Sequence, residues 1–337
     1  MSWMKGQQLK VGQNYLSLGL SRARRWPEFG ALGGFLTLFV GFSLFSSNFF
    51  TLQNLTGVFT TVSELGIMTI GITFLMITGE FDLSVSSVFV LSGFTFVRLA
   101  DGMNSLAAAG IALAIAAIIG FLNAMITLRA GIPSFITTLG MMIFLRGILL
   151  GITGGETATY EGDDIVPMLT SRFIELPFGL DDRFRPSHIW FVALTLLFSF
   201  ILLRTRYGNW VYATGGRKEV ARAMGVNVDR VKTRNFIISA MLAGLAGIIV
   251  ISRFRLANVS LGVGKELEAI AAAVIGGTFL MGGHGTIFGA FLGVSIVGMM
   301  RNGLILAGAP AFWFQTFVGL ILIIAATINT RLRRLEM

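Results

Sequence analysis

Ten apolar stretches, most of them close to the length that a membrane-spanning helix requires, run through this chain of 337 residues. Hydrophobic residues make up 54% of the sequence and charged residues 13%, and the mean hydropathy is +0.79. Soluble domains of this length do not reach such values, whereas a helix of about 20 apolar residues crosses the hydrocarbon core of a bilayer. The sequence therefore predicts an all-α, polytopic membrane protein. The predicted spans are residues 29–46, 57–78, 84–100, 106–128, 133–152, 188–203, 235–252, 267–281, 286–300 and 312–330.

Several of these spans are short for a bilayer about 30 Å thick. Glycines interrupt them, and the 42 glycines of the chain are typical of helices that pack closely within a membrane. Short, glycine-interrupted spans indicate that some of the helices are broken or cross only part of the bilayer.

Basic residues predict the orientation of the chain, because loops rich in lysine and arginine stay in the cytoplasm. They are concentrated in the tail 1–28, in the loop 204–234 and in the tail 331–337, which an even number of spans places on one side. The loop 153–187 carries seven acidic residues against three arginines and falls on the opposite, periplasmic side. The net charge of +9 is thus explained without a nucleic-acid partner. Three predicted outer cations are exceptions: Arg253, Arg255 and Lys265.

The side chains that carry chemistry in enzymes are scarce. The sequence contains no nucleophile–base constellation and no Walker A sequence, so this chain does not itself bind ATP by that route. The absence of cysteine excludes disulfides and cysteine metal sites, and two histidines, His188 and His284, are too few for a histidine metal cluster. We expect no catalytic residue, metal or cofactor on this chain, and a transmembrane domain over residues 29–330.

The loop 204–234 is the longest polar interruption between apolar stretches, with eight Lys/Arg and two acidic residues. Within it, Gly216 can cap the start of a short helix and Gly225 can close it in the left-handed conformation. Glu219 then lies in the first turn, where a negative charge suits the helix dipole. The candidate segment consists of Gly216, Arg217, Lys218, Glu219, Val220, Ala221, Met224 and Gly225.

Val220 and Met224 are four residues apart and share one face of this short helix. An apolar knob among cations at the membrane surface favours docking into another protein. The alternative is a solvated loop that is basic only because it must stay in the cytoplasm.

Ionisable residues near the spans need an explanation, because a lone charge in lipid is costly. Glu64 and Arg146 have opposite charges and lie at similar predicted depth in the outer halves of their spans. We expect them to pair, either as a structural salt bridge or as part of a solute path. Glu80 and Asp82 follow the second span, and Asp82 can cap the third helix.

Three segments of the chain resemble the inner-membrane permeases of monosaccharide ABC importers. The first is the run from Gly71 to Val88, whose turn Thr78-Gly79-Glu80-Phe81-Asp82-Leu83-Ser84 is similar to the family signature Thr-Gly-Gly-Ile-Asp-Leu-Ser. The second, from Thr214 to Val228, resembles the family's cytoplasmic coupling segment, and the third runs from Ala273 to Thr286. The departures from the family pattern are Glu80-Phe81 for Gly-Ile, Ser86 for Gly and Arg217 for Asn.

The resemblance implies a permease of the bacterial inner membrane that works with several partners. Two permease subunits, identical or related, would form the pathway in the lipid bilayer. An ABC ATPase subunit carrying ATP and Mg²⁺ would bind the coupling helix, and a periplasmic or lipid-anchored binding protein would deliver the solute. The signature turn, Gly79, Glu80, Asp82, Leu83 and Ser84, would belong to the permease core.

Two other functions stay open at this point. Related permeases carry branched-chain amino acids or nucleosides, although the Asp82-Leu83-Ser84-Val85 run is of the sugar type. An ion-coupled secondary transporter or channel would instead use Glu64, Arg146 and Asp82 as ion or proton sites. The three family segments and the large basic loop argue against that second function.

Overall fold

The computed structural model of the protein describes residues 28–159, 185–310 and 312–336. The first five helices are α1 (Glu28–Phe45), α2 (Leu52–Ile77), α3 (Val85–Ala100), α4 (Ser105–Ala130) and α5 (Ser134–Thr153). The next four are α6 (Pro186–Arg204), α7 (Arg206–Gly216), α8 (Lys218–Ala223) and α9 (Val228–Phe254), and the last three are α10 (Lys265–Ile275), α11 (Ile287–Leu306) and α12 (Trp313–Glu336). Strands β1 (Ala158–Thr159) and β2 (Leu256–Ala257) pair antiparallel, and a 3₁₀ turn spans Val259–Gly262.

Each of the ten predicted spans contains a helix, so the all-α, polytopic prediction is confirmed. Seven helices in the described part of the chain are long and apolar enough to cross a membrane, and α3 and the first part of α12 are shorter apolar helices. The prediction for span 267–281 was too long, because α10 ends at Ile275 and the chain continues without helix to Ile287. The N-terminal tail and most of the loop 153–187 lie outside the described residues.

Helices α2 and α9 form the centre of the molecule. The most apolar 18-residue windows of these two helices are 83% and 78% buried, against 6% for α1 and 22% for α5. Glycines let the central helices approach closely: a Cβ on Gly247 of α9 would lie 1.9 Å from the Phe89 oxygen of α3, and one on Gly120 of α4 would lie 2.6 Å from the Phe236 oxygen. Packing of this kind replaces the hydrophobic driving force that is missing between helices in lipid.

The chain between α2 and α3 is a buried non-helical segment, residues 78–84. Its backbone is satisfied by α5, where Ser134 accepts from the Phe81 N–H at 3.1 Å and Thr138 accepts from the Leu83 N–H at 3.0 Å. Buried non-helical backbone is stable only when its polar groups find such partners. The predicted interruption of a span is observed after α10, which ends at Ile275 within the predicted span 267–281.

Asp82 does not cap α3 in the way the sequence predicted. Its Oδ1 accepts hydrogen bonds from the N–H and the hydroxyl of Ser84, at 2.9 and 2.6 Å, and α3 begins only at Val85. The Ser84 hydroxyl also accepts from Asn123 of α4 at 2.8 Å. Asp82 thus holds the segment before the helix in a local turn and links it to α4, because its side chain reaches two residues ahead.

Candidate functional site

Three segments that are far apart in the sequence meet at the predicted cytoplasmic end of the helices. The Gly283 N–H donates to the Ile77 carbonyl at 2.8 Å. A Cβ on Gly215 would lie 1.7 Å from that same carbonyl oxygen, and one on Gly282 would lie 2.7 Å from the Gly79 nitrogen. We call Ile77, Gly79, Gly215, Gly282 and Gly283 the inner junction. Backbone meets backbone here, so α7 packs directly against the end of α2 and the segment between α10 and α11, with no side chain in between.

Two tyrosines of α7 connect it to the same region. Tyr212 donates to the Gly285 carbonyl at 2.8 Å, and Tyr207 donates to Asn235 Oδ1 at 2.6 Å. Asn235 in turn donates to the Phe74 carbonyl at 3.0 Å. Burial, with a smaller contribution from the nearby Glu28 carboxylate, raises the pKa of Tyr212 to about 12, so its hydroxyl remains a donor at neutral pH.

Glu80, a departure from the family signature, forms a salt bridge with Lys232 of α9. Only 12% of the lysine side chain and 13% of the glutamate side chain are exposed. The segment between α2 and α3 is therefore tied to α9, the helix that follows the loop 204–234. A Gly-Ile pair at this position would lack the acidic partner.

We expect Lys232→Met to destabilise the protein, because it leaves the Glu80 carboxylate nearly buried without a counter-charge. Loss of one partner of a fully buried pair costs about 3–5 kcal/mol. The double variant Glu80→Gln/Lys232→Met should be milder than Lys232→Met alone, measured as the thermal midpoint in detergent. Arg222→Met is the matched control, because Arg222 pairs with Asp229 at 3.0 Å on the surface and such pairs contribute about 0–1 kcal/mol. Equal losses in Lys232→Met and Arg222→Met would contradict the prediction.

The short helix predicted in the loop 204–234 is present as α8. Gly216 is not its N-cap: Gly216 ends α7, and Arg217 occupies the cap position in an extended conformation without a side-chain capping bond. The reason is that α7 continues through the glycine pair to reach the inner junction. Gly225 closes the segment with φ of +83°, as predicted.

The predicted knob of α8 is exposed. Val220 is 53% exposed and Met224 is 80% exposed, whereas Ala221 is buried at 4%. The helix therefore rests on the protein through Ala221 and presents two apolar side chains outwards. The two side chains form a small apolar patch on a polar segment that lies outside the predicted spans.

The predicted pair of Glu64 with Arg146 is wrong. Glu64 pairs with Arg253 of α9: Nη2 donates to Oε2 at 2.9 Å, and Nε lies 2.6 Å from Oε1. Arg146 is on α5, whereas Glu64 on the central helix α2 faces α9. The sequence contained one indication of this pair. Arg253 is one of the three cations that fall on the predicted outer side, where lysine and arginine are otherwise scarce.

A second ion pair lies close to the first. Arg301 of α11 donates to Glu268 of α10 at 2.7 Å, and Lys265 lies within electrostatic range of both pairs. We call Glu64, Arg253, Lys265, Glu268 and Arg301 the outer charge cluster. The Glu268 side chain in this cluster is only 12% exposed.

A cavity of about 510 Å³ opens beside the outer charge cluster, between the 3₁₀ turn and the outer ends of α10, α11 and α12. Among the residues that the structure describes, no group of three or more histidine, aspartate or glutamate side chains is arranged to hold a metal ion. The cavity therefore offers hydrogen bonds, charges and aromatic faces as its means of binding.

Comparison with known proteins places these features in a family. Residues 54–326 match the family model described as the branched-chain amino acid transport system / permease component. The ribose import permease protein RbsC of Escherichia coli K12 is 33% identical over 298 residues, which cover 88% of this chain and 91% of that protein. The autoinducer 2 import system permease protein LsrC of Yersinia pseudotuberculosis is 33% identical over 306 residues, or 90% of this chain and 84% of that protein. No solved structure gives a significant match.

Proposed function

This chain belongs to the family of branched-chain amino acid transport system permease components, and on that premise we propose that it imports a simple sugar or a sugar-like solute as the membrane subunit of an ATP-driven importer. It is a multi-pass transport protein of the bacterial inner membrane and not an enzyme. The choice of solute rests on one observation. The chain is 33% identical, over about nine tenths of its length, to permeases for ribose and for autoinducer 2. Branched-chain amino acids are named only in the broad family description.

The ATP that drives transport would be hydrolysed by a separate ATPase that docks on α8. The support is the exposure of Val220 and Met224 on a segment that is otherwise cationic. The close backbone contact of Gly215 with Ile77 and Gly283 supplies the mechanical link from α8 into the helices. ATPase movement at α8 would shift α7, and α7 would shift the ends of α2 and α11 at the inner junction.

A second permease subunit and an external binding protein would complete the importer. A pathway between two subunits accounts for the many exposed apolar side chains on helices of a single chain, because part of this surface would face the partner and part would face lipid. The predicted periplasmic loop 153–187 is the surface where we expect the binding protein.

The function of an ion-coupled transporter has less support. Such a transporter would use Glu64 as an exchangeable acidic site, but Glu64 is held by Arg253 in a two-point ion pair. Asp82 is engaged with Ser84 in a local turn. Glu64 is therefore not free to exchange an ion without first breaking a buried ion pair, and Asp82 already holds the segment before α3 in its turn.

The test is uptake by the importer in proteoliposomes, with the chain purified together with its cognate ATPase and binding protein. We expect radiolabelled ribose, or another monosaccharide of a small panel, to accumulate only with ATP and binding protein. Leucine is the control solute for the amino-acid alternative. Accumulation of leucine alone, or accumulation that follows an ion gradient without ATP, would contradict the proposal.

A further inference from the structure

The cavity beside the outer charge cluster combines three kinds of binding group. Lys265 and Arg301 provide cationic donors, Glu268 provides an acceptor, and Gln315 provides both an amide donor and an acceptor. The ring of Phe314 forms part of the wall. Its volume of about 510 Å³ lies within the range of small-molecule sites, about 300–1,000 Å³.

Two of the polar side chains of this cavity, Arg301 and Glu268, are held in place before any solute arrives. Arg301 donates to Glu268 at 2.7 Å, and its guanidinium also lies 4.3 Å from the centre of the Phe314 ring. Two independent contacts thus fix the orientation of one arginine. A rigid arrangement of donors reduces the entropy that binding would otherwise cost.

Lys265 has binding capacity left over. Arg253 is matched to Glu64 and Arg301 to Glu268, while no carboxylate in the described ranges lies within ion-pair distance of the Lys265 amine. The amine instead lies 5.5 Å from the centre of the Phe89 ring. An ammonium group has three donors, and a charge held partly out of water without a counter-ion is costly, so a functional reason for it is expected.

We infer that this cavity is a transient site for a neutral polyhydroxylated solute on its way into the permease, with Lys265, Glu268, Arg301 and Gln315 bonding hydroxyl groups and Phe314 packing against the sugar ring. The inference deepens the proposed sugar import and rests on it. A polyol fits because the cavity offers donors and acceptors together, whereas an amino acid would require paired sites for both of its charges. The two ion pairs already neutralise most of the charge that an ionic solute would need.

The experiment uses the absence of cysteine from the chain. Gln315→Cys places a thiol at the cavity, and Gln53→Cys places a matched thiol on an exposed residue at the outer start of α2, away from it. Each variant is purified with its ATPase, without binding protein, and the rate of maleimide modification is measured with and without the sugar that the importer takes up. At about ten times the dissociation constant, sugar should slow the reaction of Gln315→Cys about tenfold. The rate at Gln53→Cys should not change.

A second substitution tests the role assigned to the lysine. In the Gln315→Cys background, Lys265→Met should remove the protection by sugar, while Arg98→Met, which changes an exposed cation of α3, should keep it. ATPase recovery with each variant shows that the protein is folded. Protection that survives Lys265→Met would overturn the assigned residue set.

Other outcomes separate this inference from the proposed function. If the wild-type importer accumulates sugar but sugar does not protect Gln315→Cys, the site is wrong and the proposed function stands. If no sugar is accumulated and none protects, the proposed function itself fails. A further reaction is run with sugar-free binding protein added. Protection in that reaction, with none by sugar, would make the cavity a docking surface and would also overturn the inference.

Discussion

The double variant Val220→Asp/Met224→Asp should abolish solute uptake and the recovery of the ATPase with the permease, while the permease still inserts into the membrane. Both side chains are exposed on α8, and the helix rests on the protein through Ala221. The substitutions therefore leave the packing of the chain unchanged. They remove two apolar groups from the proposed docking surface and add two charges that would have to be buried there.

The expected size of the effect follows from burial. A fully buried valine or methionine side chain contributes about 1.5–3 kcal/mol, so the pair contributes about 3–6 kcal/mol to docking. This corresponds to a dissociation constant roughly two to four orders of magnitude weaker, since about 1.4 kcal/mol is a factor of ten. The charges of α8, such as Glu219, would set the orientation of the partner more than its affinity.

The measurement is co-purification of the ATPase with the permease, together with uptake in cells. The matched control is Val220→Leu/Met224→Leu, which keeps the surface apolar and should retain both the ATPase and most of the uptake. Solute binding by the isolated binding protein should be the same in all strains. Normal ATPase recovery and normal uptake in the aspartate variant would mean that α8 is a solvated loop, the alternative that its sequence left open.

Removing one partner of the Glu64–Arg253 pair should destabilise the protein by about 3–5 kcal/mol, because the remaining charge is buried and uncompensated. Only 10% of the Glu64 side chain and 23% of the Arg253 side chain are exposed. The double variant Glu64→Gln/Arg253→Met should be more stable than Arg253→Met alone, since neither charge is left behind. The measurement is the thermal midpoint of the purified protein in detergent.

Arg146→Met is the decisive control for this pair. Arg146 is the partner predicted from the sequence, and its replacement should not destabilise the protein, because the Glu64 carboxylate keeps Arg253 as its counter-charge. A loss on Arg146→Met as large as on Arg253→Met would reject the observed pairing. A double variant as unstable as the sum of the two single variants would show that Glu64 and Arg253 act independently.

The proposed mechanism depends on glycines at the inner junction, because they let the backbones of separate segments touch. Gly215 lies so close to the Ile77 carbonyl that a Cβ would overlap with it at 1.7 Å. In the proposed mechanism, ATP hydrolysis would move α8, and this contact would pass the movement on, since α7 joins α8 to the ends of α2 and α11. The sequence marks the region only as a family segment, Thr214-Gly215-Gly216.

The sequence by itself determined the features that depend on neighbouring residues. Hydropathy located a helix in all ten predicted spans, because a run of apolar residues has to satisfy its backbone internally when it crosses lipid. Local composition likewise located α8 and the closing Gly225, whose φ of +83° suits a residue without a Cβ. The family segments identified the class of protein, because they stand in order along the chain.

Only the tertiary structure decided which distant residues meet. Arg253, and not Arg146, contacts Glu64, because the rotation of α2 and α9 about their axes sets which side chains face each other. Glu80 finds Lys232 across 152 positions of the chain, and Gly216 ends α7 because that helix must reach Ile77. Hydropathy allows the depth of a residue in the membrane to be estimated. The partner of a charged residue depends instead on how each helix is rotated and packed. The sequence predicts that rotation only where one face of the helix is clearly more apolar than the other.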